Sequence, residues 1–448
     1  MSAPHSPAST TAMLRTPFNL LDDAFHNIER RHEPWSIHFE LGFEGRIEPA
    51  KLAESIRHAL GLHPIARARI EPYGDGATRY WWEIPDEPDQ IPLTVIQAAT
   101  EAEVVRARES LVSLQVPATV SPAFLIYLVQ APAGDRLMVN LNHVIADGMS
   151  TFRIFTSIIR HYAGLPDPLP AFDPLSVRDL KKLAGMKSMA EFVERLKLLV
   201  EHLALSTRSP GRVLPKQAEP AGAAARGYGC VLIRLDADET RRLMARRVKP
   251  ATVNDLVLAG MLLAIAEWNR RHGGKASRIT AMMPMNLRPA DWWFEVVSNF
   301  SSYVSINLPV EQQGDLATAT AAVCEQTQRL KDAGASGILI DVLDVPKFLP
   351  AFLKARLRDI TPMLGSNLVD STWVTNLGRL AELPPMGAAG RVTDICFSPP
   401  APEPMGVTVG VASLGDCMSL GLRYRRCIFD AAAAEEFGAL FKALLLGS

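Results

Sequence analysis

Apolar residues recur along this chain with two spacings, one suited to strands and one to helices. SIHFELGFEG alternates like a strand, and AFLIYLVQAP and DRLMVNLNHV are apolar runs joined by PAGD, which predicts a hairpin. TPFNLLDDAFHNIE predicts a capped helical turn. IEPAKLAESIRHALGLHPIARARI carries Leu52, Ile56, Leu60 and Leu62 near helical spacing, predicting an amphipathic helix that ends by Gly61 and His63-Pro64. YWWEIP and IPLTVIQ predict two more strands, residues 101–114 a helix, and MSTFRIFTSIIRHYAG a helix broken at Gly164. Over 177–206 helical spacing returns, with Leu180, Leu183, Leu196, Leu199 and Leu203 expected on one face and basic residues on the other.

The second half repeats the mixture. GCVLIRLDADETRRLM predicts a strand then a helix, and ATVNDLVLAGMLLAIAEWNRR a strong helix. RITAMMPMNLRP, NFSSYVSINLP, STWVTNLG, RVTDICFSPPAPEP, MGVTVGVASLG and CMSLGLRYRR predict strands; 315–333, 341–358 and 431–446 predict helices. Residues 1–15 read as a loose tail. Residues 207–227, rich in Pro, Gly, Ala and charge, read as a linker between an N-terminal domain (1–206) and a C-terminal domain (228–448). Hairpins in both halves imply an α+β fold with mixed, largely antiparallel sheets flanked by helices, not a doubly wound one.

Composition narrows the function. The 448 residues are 48% hydrophobic and 21% charged, as in an ordinary folded protein of two or three domains. A net charge of −1 gives no electrostatic grip on nucleic acid. The five cysteines form no CxxC pair, which argues against a disulfide framework or a zinc site and fits a reducing cytoplasm. The N-terminal stretch lacks an apolar signal-like region, and no apolar run has bilayer length. A peripheral membrane contact stays open: the basic face of 177–206 could meet a thioester's phosphates, a carrier protein or an anionic membrane, the plain alternative for it and for the apolar stretch 338–358 being a solvated helix face plus core.

Chemistry concentrates in NHVIADG, residues 142–148. A strand delivers His143 to a turn, and an imidazole fixed there can take a proton from an attacking alcohol or amine. Gly148 permits close backbone approach or a positive φ. Asp147, if buried, needs a partner. The blander alternative has His143 ending a strand and Asp147 capping the next helix. There is no GxSxG elbow, P-loop or nucleotide glycine fingerprint, so direct transfer is simpler than a covalent acyl-enzyme.

Six stretches in order carry a resemblance: HPIARARI from residue 63, NHVIADG, TVNDLVLAG at 252–260, MPMNLRP at 283–289, VSNFSSYVSINLP at 297–309 and WVTNLG at 373–378. Together they resemble the HxxxD acyltransferase superfamily, which includes chloramphenicol acetyltransferase, condensation domains, polyketide-associated acyltransferases and wax ester synthases. The resemblance implies two chloramphenicol-acetyltransferase-like domains with a tunnel between them. It implies His143 as general base, with Asp147 and Gly148 completing the catalytic set. It also implies a structural ion pair between Asp147 and Arg288. Asn254 matches an asparagine of the wax synthase group. Asn254, Asn299, Thr372 and Asn376 are candidate oxyanion or substrate contacts, with the plain alternative of helix-start or turn roles.

The sequence departs from its relatives in three places. Asn142 stands where many have a first histidine, and the Pro-Leu-Trp and DFGWG stretches of subfamilies are missing. Subfamily and substrate therefore stay open. The expected activity is transfer from an acyl thioester, acyl-CoA foremost, to a hydroxyl, with the thioester as co-substrate and no further cofactor or metal. One alternative is a free-standing condensation enzyme using carrier-protein-bound acyl groups and an alcohol or amine acceptor. Another is a non-catalytic binding module that keeps the fold.

Overall fold

The computed structural model describes residues 13–30, 33–216, 226–292, 295–356 and 367–447. The first half supplies strands β1 (Leu14–Pro17), β2 (Ser36–Phe43), β3 (Arg69–Ile70), β4 (Trp81–Ile84), β5 (Leu93–Gln97), β6 (Phe124–Gln130) and β7 (Arg136–Asn142). The second supplies β8 (Tyr228–Leu235), β9 (Ile279–Asn286), β10 (Ser301–Leu308), β11 (Thr372–Arg379), β12 (Val392–Ser398), β13 (Val407–Leu414) and β14 (Cys417–Arg425). They form a five-stranded sheet in the order β12-β2-β7-β6-β5 and a six-stranded sheet in the order β10-β9-β11-β13-β14-β8. A small sheet, β1-β4-β3, completes the set, so Leu14 and Arg15 belong to a strand instead of a loose tail. Both large sheets are mixed and mainly antiparallel, as the hairpins implied.

Helices cover these sheets. In the first half they are α1 (Leu20–Ile28), α2 (Pro49–Leu62), α3 (Glu101–Ser113) and α4 (Gly148–Tyr162). Then come α5 (Leu180–Ala184), α6 (Met189–Leu205), α7 (Ala237–Ala245) and α8 (Val253–Arg271), followed by α9 (Leu316–Asp332), α10 (Ser336–Leu343) and a C-terminal helix, Ala431–Leu446. One large apolar core lies mainly in each half; Trp373 and Phe397, from the second, pack into the core of the first. No helix among the described residues is long and apolar enough to cross a membrane.

The linker does not divide the chain cleanly. Strand β12, from the C-terminal half, pairs antiparallel with β2 of the N-terminal half. It crosses β13 and β14 where Gly410 pairs with Gly421. A Cβ at either glycine would lie 2.3 Å from the Phe397 carbonyl oxygen, so only glycine admits the crossing. Within the expected linker, residues 217–225 lie outside the described residues. The rest is pinned: Asn269 donates to the Arg212 carbonyl at 2.7 Å, and Lys216 bridges to Phe429.

The alternation in SIHFELGFEG conceals a buried charge cluster, because both faces of β2 are covered. Arg108 of α3 grips Glu40 with bonds of 2.6 and 2.9 Å, and Arg136 of β7 bridges Glu40 and Asp394 of β12. Burial opposes the Glu40 charge, yet the Arg108 guanidinium outweighs it and holds the carboxyl well below the usual range.

Two helical expectations change. The periodic stretch 177–206 splits into α5 and α6 at Gly185, and Leu196 and Leu203 point outward. The stretch 341–358 is no single helix: α10 stops at Leu343, and Pro346 and Pro350 each start a short new turn. Its residues 357 and 358 lie outside the described residues.

Candidate active site

Strand β7 ends at Asn142, and this asparagine builds the turn after it. Its side chain donates to the Val116 carbonyl at 2.8 Å and accepts from the Val144 amide at 2.9 Å. It also contacts the carboxylate of Glu29, at the end of α1, at 3.2 Å. Burial pushes the Glu29 carboxyl up to about 7. In the place of a first histidine, Asn142 thus acts as a turn former.

His143 follows, and both halves hold it. Its amide donates to the Trp35 carbonyl at 2.7 Å, and its own carbonyl accepts from Asn299 Nδ2 at 2.8 Å. Its ring meets Phe25 edge-on at 4.9 Å and stacks against Trp373 of β11 at 5.9 Å. Only 4% of the residue is exposed. Burial lowers the imidazole pKa to about 4, outweighing the nearby Asp147 charge, so the ring is neutral at physiological pH. The His143 and Ala146 backbone carbonyls favour its protonation, but no group completes a hydrogen bond to Nδ1.

Asp147 unites the two roles weighed for it. It caps α4 by accepting from the Ser150 amide at 3.0 Å. It also takes two bonds from Arg288, Nη1 to Oδ2 at 2.7 Å and Nη2 to Oδ1 at 2.9 Å. The Phe300 amide adds a third donor at 2.9 Å. Burial disfavours the carboxylate, yet Arg288 outweighs that and keeps its pKa below the ordinary value. Arg288 also donates to Ser150 Oγ, to the Ser298 and Val296 carbonyls and to Asn286 Oδ1, and lies over the Phe300 ring. This is a structural pair that staples the His143 turn to segment 296–300.

Gly148 starts α4 in tight quarters. A Cβ there would lie 3.0 Å from both Leu377 Cδ2 and Phe397 Cζ, so close approach is the use the fold makes of it.

The four remaining candidates sit as follows. Asn299 reaches across the halves to the His143 carbonyl, which holds the histidine backbone and takes one of the two N–H donors of its amide. Thr372 donates its hydroxyl proton to the Val407 carbonyl at 2.7 Å, which occupies the donor an oxyanion would need. Asn376 accepts from the Gly378 amide at 2.7 Å, where Gly378 has φ +74°, so it forms a turn. Asn254, in the first turn of α8, contacts Met283 Sδ at 3.2 Å and makes no described contact with His143. Replacing Asn299 with alanine is expected to lower kcat several-fold with little change in KM, since the histidine loses its tether while the substrate surface stays. Steady-state kinetics of the variant checks this.

Two tryptophans escaped the sequence reading. Trp35 and Trp373 pack at 5.7 Å, and both indole nitrogens are buried without a hydrogen-bond partner among the described residues. With His143 Nδ1 they make three unsatisfied polar atoms on neighbouring rings. Cavities among the described residues include one of about 900 Å³ along α9 and one of about 400 Å³ beside α1. Neither is lined by His143, and the implied tunnel is not among those described.

Comparisons with known proteins agree with this architecture. No family model matches the chain. An uncharacterised protein of Mycobacterium tuberculosis is 34% identical over 414 residues, covering 92% of this chain and 94% of that protein. The trichothecene 15-O-acetyltransferase of Fusarium sporotrichioides superposes with a TM-score of 0.70 at 12% identity, covering 99% of this chain and 96% of that one. The first condensation domain of the CDA synthetase superposes with a TM-score of 0.66 at 15% identity, covering 97% and 96%. The chain therefore belongs to one family with this mycobacterial protein, and it shares its fold with the condensation domain and the acetyltransferase.

Proposed function

We propose that this protein transfers an acyl group from a thioester, acyl-CoA foremost, to a hydroxyl acceptor, with His143 as general base. The carrying observation is the meeting of a neutral, buried imidazole with two unpartnered indole N–H groups. The acceptor oxygen attacks the thioester carbonyl carbon while its proton passes to the imidazole. The carbonyl electrons move onto oxygen, where an indole N–H of Trp35 or Trp373 donates a hydrogen bond. Collapse of the intermediate breaks the C–S bond, and the imidazolium returns the proton to the thiolate. The products are an ester and a free thiol. Asp147 and Arg288 hold the turn and take no proton. Because the ring is enclosed, Phe25 or Trp373 must move to admit substrate.

A condensation reaction on carrier-protein-bound acyl groups is the alternative, favoured by the superposed condensation domain. Mass-spectrometric screening of acyl-CoAs and acyl-carrier proteins against pooled alcohols and amines separates the two. Turnover with CoA thioesters and alcohols supports the proposal, and turnover only with carrier-bound donors replaces it. Absence of transfer from every thioester, with a partner still bound, returns the chain to a binding module.

The pH profile is a separate check. A base with its pKa lowered to about 4 stays unprotonated, and therefore active, above that value. The acid limb of kcat/KM assigned to His143 is expected near pH 4, well below the 6.5 of a free histidine. Burial raises Glu29, which contacts Asn142 beside His143, to about 7, so an inflection from it is expected near that pH and is expected to vanish in Glu29→Gln.

A further inference from the structure

Helix α6 is amphipathic in the inverted sense. Its buried residues are Arg195 and Leu198, with Arg195 donating to Asp341 at 2.6 Å and to the Ala184 carbonyl at 3.0 Å. Met189, Phe192, Val193, Leu196, Val200 and Leu203 face outward, with Met189 75% exposed and Val200 56%. Residues 189, 196 and 203 are spaced by sevens, with 192 and 199 between them. That is the a/d spacing of helices that pack on helices, with Val193 and Val200 widening the seam. Nothing among the described residues covers it. A contiguous exposed apolar stripe on a folded protein marks an interaction site.

We propose that the stripe is covered by α6 of a second copy of this chain, packed antiparallel about a twofold axis at Leu196. The sequence is close to palindromic around that residue. Counting outward, Val193 matches Leu199, Phe192 matches Val200 and Met189 matches Leu203, all apolar. A twofold contact uses the same patch on both subunits, so it requires this self-complementarity, and a lipid or unrelated partner does not.

Charge points the same way. Lys197 pairs with Glu194 at 2.7 Å on the flank of the stripe. Along the helix three carboxylates (Glu191, Glu194, Glu201) outnumber two cations (Arg195, Lys197), which disfavours an anionic membrane. The helix is about 25 Å long at 1.5 Å per residue, enough for an extended seam. Val342, Val345 and Phe348, in and after α10, are further exposed apolar residues of the second half.

The test uses the full chain. Light scattering after size-exclusion chromatography, over a range of concentrations, is expected to give twice the chain mass. Leu196→Glu and Val200→Glu are each expected to give the single-chain mass at unchanged melting temperature. In a background lacking the exposed Cys417 and Cys427 (both to serine), Leu196→Cys is expected to form a disulfide-linked dimer under mild oxidation. Met189→Cys alone is expected to form none, but it should link to Leu203→Cys when the two are mixed. A single-chain mass at every concentration overturns the proposal, as does a dimer that survives both glutamate substitutions. Flotation of a monomer with phosphatidylcholine or phosphatidylglycerol vesicles, lost in Leu196→Glu, assigns the stripe to lipid and likewise overturns it.

Discussion

Replacing His143 with alanine is expected to cut acyl transfer by about 10²–10⁴ while the protein stays folded. The size follows from the role: without an internal base, the acceptor must lose its proton to water. Folding is expected to survive because the substitution removes a buried nitrogen that no group bonds, which offsets part of the packing lost against Phe25 and Trp373. Single-turnover rates with a fixed thioester, set beside circular dichroism, separate the two effects. Unchanged turnover would remove His143 from the mechanism. Trp35→Phe and Trp373→Phe sharpen the picture, since each deletes only the indole N–H. A drop in kcat in one of them identifies the oxyanion donor, and wild-type rates in both dismiss the indoles.

The second large effect is on stability. Arg288→Ala leaves the Asp147 carboxylate buried and unpaired, a loss expected to cost about 3–5 kcal/mol. Asp147→Asn keeps the shape and one acceptor but strands the guanidinium, and the cap on Ser150 weakens with it. Both variants are expected to melt earlier and to lose activity together, because the pair fixes the His143 turn. The double variant is expected to be no worse than the worse single, as befits two members of one contact. Chemical denaturation of the four proteins reads the coupling directly. A normal melt with lost rate in Asp147→Asn would make the aspartate part of the chemistry.

Much of this was legible before any coordinates. Strand β7, the turn and α4 read clearly because their apolar spacing and caps are local properties. Arg288 as the partner of Asp147 came from the resemblance together with the general need of a buried carboxylate for a guanidinium. The indoles were invisible, because an unpartnered N–H is defined by what surrounds it in space, and Trp35 and Trp373 lie far apart in sequence. Asn299 and Thr372 were placed near the chemistry, but only the fold shows that carbonyls occupy the Thr372 hydroxyl and one N–H of Asn299. The leucines of α6 failed for another reason. Periodicity reports that a helix has an apolar face and does not say which side the rest of the molecule lies on. Strand β2 was legible as a strand, but its alternation does not say that both faces are covered, because the arginine from α3 that pairs with Glu40 is remote in sequence.

Strand β12 has a practical meaning for anyone dividing the protein. Cutting within 207–227 would not release two autonomous lobes, since the trailing piece would carry away the edge of the leading sheet and leave β2 with bare amides and carbonyls. Chimaeras between relatives should therefore move residues 392–398 with the leading lobe, and any swing of one lobe against the other is held at one margin like a door hinged on its own frame.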